Sequence, residues 1–262
     1  MDLLYFAPGS ASLCVHWLLI EIGQPHELRR VDLAAGEQRS PEYLKLNPAG
    51  VVPTLVLDGE AFNESGALVL MLADRYPDAG LMPPPGTAAR QRAYQWLVLM
   101  ANGLQPPFRT WFYPHEPAGE AAKDVAKAAA GQRIEAFFDR VEAHLAAHGP
   151  FLLGERVSAP DFFLAMLCRW SRNMPKPATE WPALRGFVDR MRARPSFKLL
   201  CEREALTEWL ASATPRRCRP SRASNPRTCV GASMSTCSWW SSAGGGTHRR
   251  TWRPAGAPCR RW

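Results

Sequence analysis

The sequence predicts an α/β unit followed by an all-α unit, on three observations. Residues 1–77 alternate short apolar runs with helical stretches in the order βαβαββα. Pro77, Pro83-Pro84-Pro85 and Gly86 then punctuate the chain. Beyond them, residues 88–212 carry apolar patterns of helical period alone. The expected division is 1–77, a linker over 78–87, a helical unit over 88–212, and a tail over 213–262 of different composition.

In the first unit, Leu3–Phe6 is an apolar run that reads as a strand, Ser12–Ile22 as an apolar helix, and His26–Leu33 as a second strand. Pro41–Leu46 is a short helix. Thr54–Leu57 and Glu60–Phe62 form a hairpin across Asp58-Gly59, and Glu64–Tyr76 closes the unit as a helix. Together they make a four-stranded mixed sheet flanked by helices. In the second unit, Arg90–Gln105 keeps Tyr94, Leu97, Val98, Ala101 and Leu104 on one side until Pro106-Pro107 interrupts it. Ile134, Phe137, Phe138, Val141 and Leu145 form the next helical stripe. Ser158-Ala159-Pro160-Asp161 is a capping box with proline inside it, and it opens the helix Phe162–Trp170. Two shorter helices, near Ala183–Arg192 and Phe197–Trp209, follow.

The formal charge of +8 belongs to the tail. Residues 213–262 hold ten arginines and no Asp or Glu, so residues 1–212 carry 22 basic against 24 acidic side chains, or −2. The body therefore offers no electrostatic reason to bind nucleic acid. The tail lacks Leu, Ile, Phe, Tyr, Lys and Gln as well, and shows no periodicity. Such a segment buries too little apolar surface to offset its ordering entropy, which reads as a basic disordered arm or as the product of a shifted reading frame in GC-rich coding sequence. Its four cysteines show no metal-ligand spacing. Cys14, Cys168 and Cys201 are scattered through the body, which fits a reducing cytoplasm better than a disulfide framework. The chain opens directly on its first strand, so no signal peptide is expected, and no apolar run approaches a membrane span.

Chemistry concentrates in Asn47–Gly59 and Asn63–Ala67. Pro53 cannot donate to a sheet ladder, so it stands at the start or edge of the strand Thr54–Leu57. With Val52–Pro53 cis, the adjoining N–H and C=O turn outward together, and an extended peptide can pair with them. Glu64-Ser65 lies where strand gives way to helix, with the first helical N–H groups pointing at any ligand there. Ser65 and that helix end suit a carboxylate, while Glu64 suits an ammonium. The plainer alternative is that Asn63 or Ser65 merely caps a helix and Pro53 merely shapes a turn.

Over roughly residues 1–210 the chain resembles the cytosolic glutathione transferases. The resemblance rests on Ala7-Pro8-Gly9-Ser10-Ala11-Ser12-Leu13, Asn47 to Leu55, Glu64-Ser65-Gly66-Ala67 and the Ser158–Asp161 box, in that order. It implies a thioredoxin-like N-terminal domain, an all-helical C-terminal domain, a homodimer, and an electrophile pocket between the domains. It also implies that Val52, beside cis-Pro53, lends its backbone to the cysteinyl part of glutathione, and that Glu64 and Ser65 bind the γ-glutamyl end. The bacterial beta-like subgroup is the nearest in pattern. That subgroup has a cysteine where this chain has Ala11, and its His-Lys pair falls on Gln105-Pro106. Mixed-disulfide chemistry of that kind is therefore not expected.

The expected activity is transfer of glutathione to a hydrophobic electrophile, with glutathione as co-substrate and no metal. Isomerase, lyase, dehalogenase and peroxidase activities share the same family site. A thiolate must be stabilised for attack. Ser12 can donate O–H···S⁻ at the mouth of the first helix, with Ser10 and Tyr5 as reserve donors, or it can be an N-cap alone. Gln105, Phe108, Trp111, Phe112 and Tyr113 are expected to line the electrophile pocket, or else to be core between helices. His144 and His148 sit four apart but lack a third ligand; Cys14, Trp170 and Trp181 read as packing. The alternative function is a non-catalytic protein of this fold acting through protein contacts.

Overall fold

In the computed structural model, which describes residues 2–209, strand β1 (Asp2–Phe6) is the centre of the first unit. It runs parallel to β2 (His26–Arg30) and antiparallel to β3 (Thr54–Leu57), which pairs antiparallel with β4 (Glu60–Asn63). The sheet order is β2-β1-β3-β4. Alternation along the strands sends Leu4, Phe6, Leu55 and Leu57 to one face and Tyr5 to the other. The first face packs on α1 (Leu13–Ile22) and α3 (Ser65–Arg75); the second is covered by Tyr43 of α2 (Pro41–Leu46). Asp58 (φ 52°) and Gly59 (φ 89°) both take positive φ, as a two-residue hairpin loop between right-twisted strands requires.

β2 is shorter than the expected His26–Leu33. The Val31 N–H still reaches the Phe6 carbonyl at 2.8 Å. The Asp32 carboxylate then accepts the N–H groups of Ala34 and Ala35 at 3.0 and 3.1 Å and turns the chain away. A 3₁₀ turn over Glu37–Arg39, not anticipated from the sequence, leads into α2.

The second unit holds α4 (Ala88–Gly103), α5 (Gln105–Phe112), α6 (His115–His148), α7 (Ala159–Trp170), α8 (Pro182–Arg192) and α9 (Pro195–Arg203). Pro106 and Pro107 end the preceding pattern as expected, but they also open α5, because a proline in the first helical turn removes an N–H that has no partner there. α6 is kinked at Gly119 and buries the expected stripe from Ile134 to Leu145. α9 stops at Arg203, short of the expected Trp209: Ala205 (φ 52°) reverses the chain and the Leu206 N–H returns to the Cys201 carbonyl at 2.9 Å.

α7 is the central helix, buried along almost its whole length. Asp161 accepts the Leu152 N–H (2.9 Å), the Ser158 N–H (2.7 Å) and the Ser158 hydroxyl (2.7 Å), so the box read from the sequence closes the α7 start. One apolar core runs from Leu4 through Trp17 to Phe162 and Phe187. Among the described residues no helix is long and apolar enough to cross a membrane. The tail, read above as disordered or frame-shifted, lies outside the described residues.

Candidate functional site

The loop from Ala7 to Ser12 joins β1 to α1. Ser12 is fully buried: its Oγ accepts the Ala7 N–H (3.3 Å), donates to the Ala7 carbonyl (3.2 Å) and is 2.9 Å from Ser10 Oγ. Ser12, expected to donate to a bound thiolate, thus has its hydroxyl enclosed by its own loop. Ser10 Oγ accepts the Ser12 N–H at 3.3 Å and is only half-buried. With the Ser12 proton on the Ala7 carbonyl, the Ser10 hydroxyl has its own proton to direct at Ser12 Oγ or at an acceptor outside the loop. Tyr5, the other reserve, is buried beneath the Arg29 guanidinium, which donates to its hydroxyl at 3.3 Å.

The Val52–Pro53 bond is cis. The carbonyl just before it, that of Val51, accepts from Tyr43 Oη and from Asn47 Nδ2, both at 2.7 Å. Burial holds the Tyr43 phenol above its usual range, so it remains a donor. Tyr43 Oη also lies 2.9 Å from Thr54 Oγ1, which donates to Asn63 Oδ1 at 2.8 Å. This chain of polar groups connects the Val52–Pro53 step to the residue before Glu64; the sequence reading did not single out Tyr43 or Thr54. Arg39 lies alongside, with Nη1 3.4 Å from the Ala49 carbonyl.

Glu64 holds φ 71°, ψ 108°, a left-handed conformation that costs a non-glycine residue about 1–3 kcal/mol. Its carboxylate is exposed and, among the described residues, takes part in no ion pair or cap bond. The Glu64 carbonyl accepts the Leu68 N–H at 2.8 Å, which leaves the N–H groups of Ser65, Gly66 and Ala67 at the open end of α3. Ser65 is buried at that end. The structure thus gathers Val52, Pro53, Glu64 and Ser65 along one side of the sheet end, and Ser10 sits on the neighbouring loop.

Three residues that the sequence reading did not connect with the site come from the helical unit. Glu204 Oε2 accepts the Gly9 N–H at 2.8 Å, and its Oε1 lies 2.8 Å from His16 Nδ1. Trp170 Nε1 donates to the Gly9 carbonyl at 2.9 Å. Arg169 packs so closely on Gly9 that an added Cβ there would lie 2.7 Å from Nη1; Gly9 also takes φ 68°. Size and backbone conformation both call for glycine. No sequence spacing announces contacts made across more than 150 residues.

The aromatic residues expected to line an electrophile pocket are placed differently from one another. Phe108 is fully buried, 5.7 Å from the Trp170 ring and 6.1 Å from Phe112, so it is floor and not lining. Phe112 is 45% exposed and stands 6.2 Å from the Trp170 ring, whose Nε1 bonds the Gly9 carbonyl. Trp111 turns the other way: its ring packs against Gly131 of α6 with the Lys127 ammonium 4.8 Å above it. Gln105 opens α5, about two helical turns from Phe112. Tyr113 is exposed under the Arg109 guanidinium, itself paired with Glu116.

Burial raises the thiols of Cys14 and Cys168 far above the ordinary range and that of Cys201 to about 11, so none is a nucleophile. His144 Nε2 pairs with the Leu152 carbonyl at 2.9 Å, beside Trp96. Among the described residues no three His, Cys, Asp or Glu side chains gather as metal donors.

Comparison with known proteins adds to this geometry. Residues 10–75 match the family model "Glutathione S-transferase, N-terminal domain", and residues 124–212 match "Glutathione S-transferase, C-terminal domain". A glutathione S-transferase of Xanthomonas campestris pv. campestris is 31% identical over 207 residues, spanning 78% of this chain and 98% of that protein. Among solved structures, a glutathione transferase of Methylococcus capsulatus is similar at 34% identity with a TM-score of 0.69, covering 79% of this chain and all of the other. A glutathione transferase homologue from Sulfitobacter, solved with bound glutathione, is 29% identical with a TM-score of 0.72 over 78% of this chain and 98% of its own.

Proposed function

Because the chain belongs to the glutathione S-transferase family, we propose that this glutathione transferase ionises the glutathione thiol at Ser10 and directs it at a hydrophobic electrophile held by Phe112 and Trp170. Glutathione lies extended along the Val52–Pro53 step, its cysteinyl group pairing with the Val52 backbone. Its γ-glutamyl ammonium meets Glu64, and its γ-glutamyl carboxylate meets Ser65 and the open N–H groups of α3. Arg39 is placed for the glycyl carboxylate at the other end of the tripeptide.

Lowering the thiol pKa by about two units takes about 2.7 kcal/mol of preference for the anion. One hydroxyl bond to the thiolate supplies roughly 1.5–3 kcal/mol, and the α1 N-terminus adds a smaller share. Ser12, predicted to be the donor, acts through Ser10 by bracing the Ala7–Ser12 loop that presents the Ser10 hydroxyl. The thiol proton passes to solvent; the thiolate then forms the S–C bond as the leaving group departs with its electron pair, or it adds across an activated double bond whose resulting carbanion takes a proton from water. Ala11 stands where beta-like members carry cysteine, so turnover proceeds without a mixed disulfide on the enzyme. The reading includes a homodimer, a division of the chain at residues 78–87, no metal, and a reducing cytoplasmic setting consistent with the buried free thiols.

The observation that carries it is Glu64, an unpaired carboxylate held in a strained conformation at the mouth of α3 beside Ser65. Calorimetric titration of glutathione against wild type, Glu64→Gln and Ser65→Ala tests it. Each substitution removes a bond to a charged group, so affinity is expected to fall about tenfold to a hundredfold. Wild-type affinity in both variants would refute the assignment. No binding to wild type would favour the non-catalytic alternative.

A further inference from the structure

The geometry points to Arg169 as a fixed buried charge that keeps the bound thiolate ionised, acting through the Gly9–Ser12 loop without touching substrate. The inference rests on the thiolate reading of the site. Arg169 sits in the last turn of α7 with 3% of its surface exposed. Its Nε is enclosed without an acceptor, and among the described residues its guanidinium forms no salt bridge. The charges of Glu208 and Glu204 favour its charged form, as does the partial negative charge at the end of a helix, but burial and the Arg172 charge oppose it and no carboxylate bonds the guanidinium among the described residues.

The neighbouring charges are oriented elsewhere. Glu204 places one oxygen on the Gly9 N–H and the other on His16. Glu208 pairs with Arg172, which lies on the turn after Arg169 and adds positive charge there. Cys201 of α9 also faces Arg169, and burial keeps its thiol protonated. Gly9 has no side chain and so lets the guanidinium approach its backbone directly. Beyond that backbone lie Ser10 and the open start of α1, where an anion completes the charge pattern. Arg169 is thus a positioning residue for charge, bonded to neither carboxylate and set against the backbone of the loop that carries Ser10.

Across protein of effective dielectric near 20, a unit charge about 8 Å away moves a thiol by about one and a half pKa units. The sign is diagnostic. Loss of a nearby cation raises the thiol pKa, whereas loss of a nearby anion lowers it. The ultraviolet absorbance of the bound glutathione thiolate is titrated against pH on the full chain for wild type, Arg169→Met, Arg169→Lys and Glu204→Gln. Arg169→Met is expected to raise the bound pKa by about one unit or more, and Arg169→Lys to restore most of the shift. Glu204→Gln, which keeps an acceptor for the Gly9 N–H, is expected to lower it.

A purely structural role would loosen the loop in either neutral variant and move both values upward, so shifts of the same sign overturn the proposal. If Arg169→Met does not fold, the downward shift in Glu204→Gln supports the proposal and an upward one overturns it. A depressed wild-type pKa that Arg169→Met leaves unchanged overturns the Arg169 assignment alone. A wild-type value equal to that of free glutathione overturns the thiolate reading and this inference with it.

Discussion

Replacing Ser10 and Ser12 separately by alanine should affect two different properties, because the structure gives the two hydroxyls different surroundings. Ser12→Ala removes the acceptor of the buried Ala7 N–H and a partner of Ser10. A buried N–H without an acceptor costs about 1–3 kcal/mol. For a chain of this size that is about 2–12 °C in melting temperature. The bound thiol loses only the second hydroxyl behind Ser10, so its pKa should rise by less than about one unit. Ser10→Ala removes a long acceptor of the Ser12 N–H, but Ser10 is half-buried and water can enter the space its hydroxyl leaves, so the loss of stability should be about 1 kcal/mol, at the low end of the Ser12→Ala range. It removes the direct bond to the thiolate, worth about one to two pKa units. Thermal melts of the unliganded variants and thiolate absorbance titrations of their glutathione complexes read the two effects independently. If Ser12→Ala raised the thiol pKa more than Ser10→Ala and left the melting temperature unchanged, the assignment of roles would be inverted and the argument from burial wrong.

Other consequences concern the frame around the site. Asp161→Ala leaves two backbone N–H groups and the Ser158 hydroxyl without their acceptor in a fully buried place, so urea unfolding should show a loss of about 3–5 kcal/mol with the m-value unchanged. Glu21 ties α1 to Arg194 and Ser196 ahead of α9; burial alone would raise its carboxyl, but those two hydrogen bonds and the Arg194 charge hold it below the usual range. Its stabilisation is therefore complete above the unfolded pKa of about 4.3 and is lost as pH falls through the lower folded value. Glu21→Gln should weaken the protein at neutral pH and flatten the acid limb of a melting-temperature profile taken in pH steps. An acid limb as steep as that of wild type would remove Glu21 from the account.

Much of the frame was legible in the sequence because its signals are local. Alternating apolar runs, the Asp58-Gly59 turn and the Ser158–Asp161 box each specify a backbone conformation within a few residues. Errors fell where a local signal had two outcomes. Pro106-Pro107 both ends one helical pattern and starts α5, and Asp32 ended β2 through its own side chain. The backbone setting of Val52, Pro53, Glu64 and Ser65 was legible for the same reason, since strand start and helix start are set within the segment they occupy.

What the sequence by itself determined was therefore the order of elements and the backbone of two short segments, the Val52–Pro53 step and the start of α3. Only the tertiary structure decided which hydroxyl faces outward, which aromatic rings meet, and which distant side chains stand behind the loop. Ser10 and Ser12 are chemically alike, and burial alone separates them. Phe112 and Trp111 are adjacent on α5, yet one helical step of about 100° sends Phe112 toward Trp170 and Trp111 toward Gly131. Glu204 and Arg169 reach Gly9 only because α7 and the chain after α9 fold back beneath α1. Contacts between parts of the chain so far apart depend on how whole elements pack, and packing leaves no mark on local spacing.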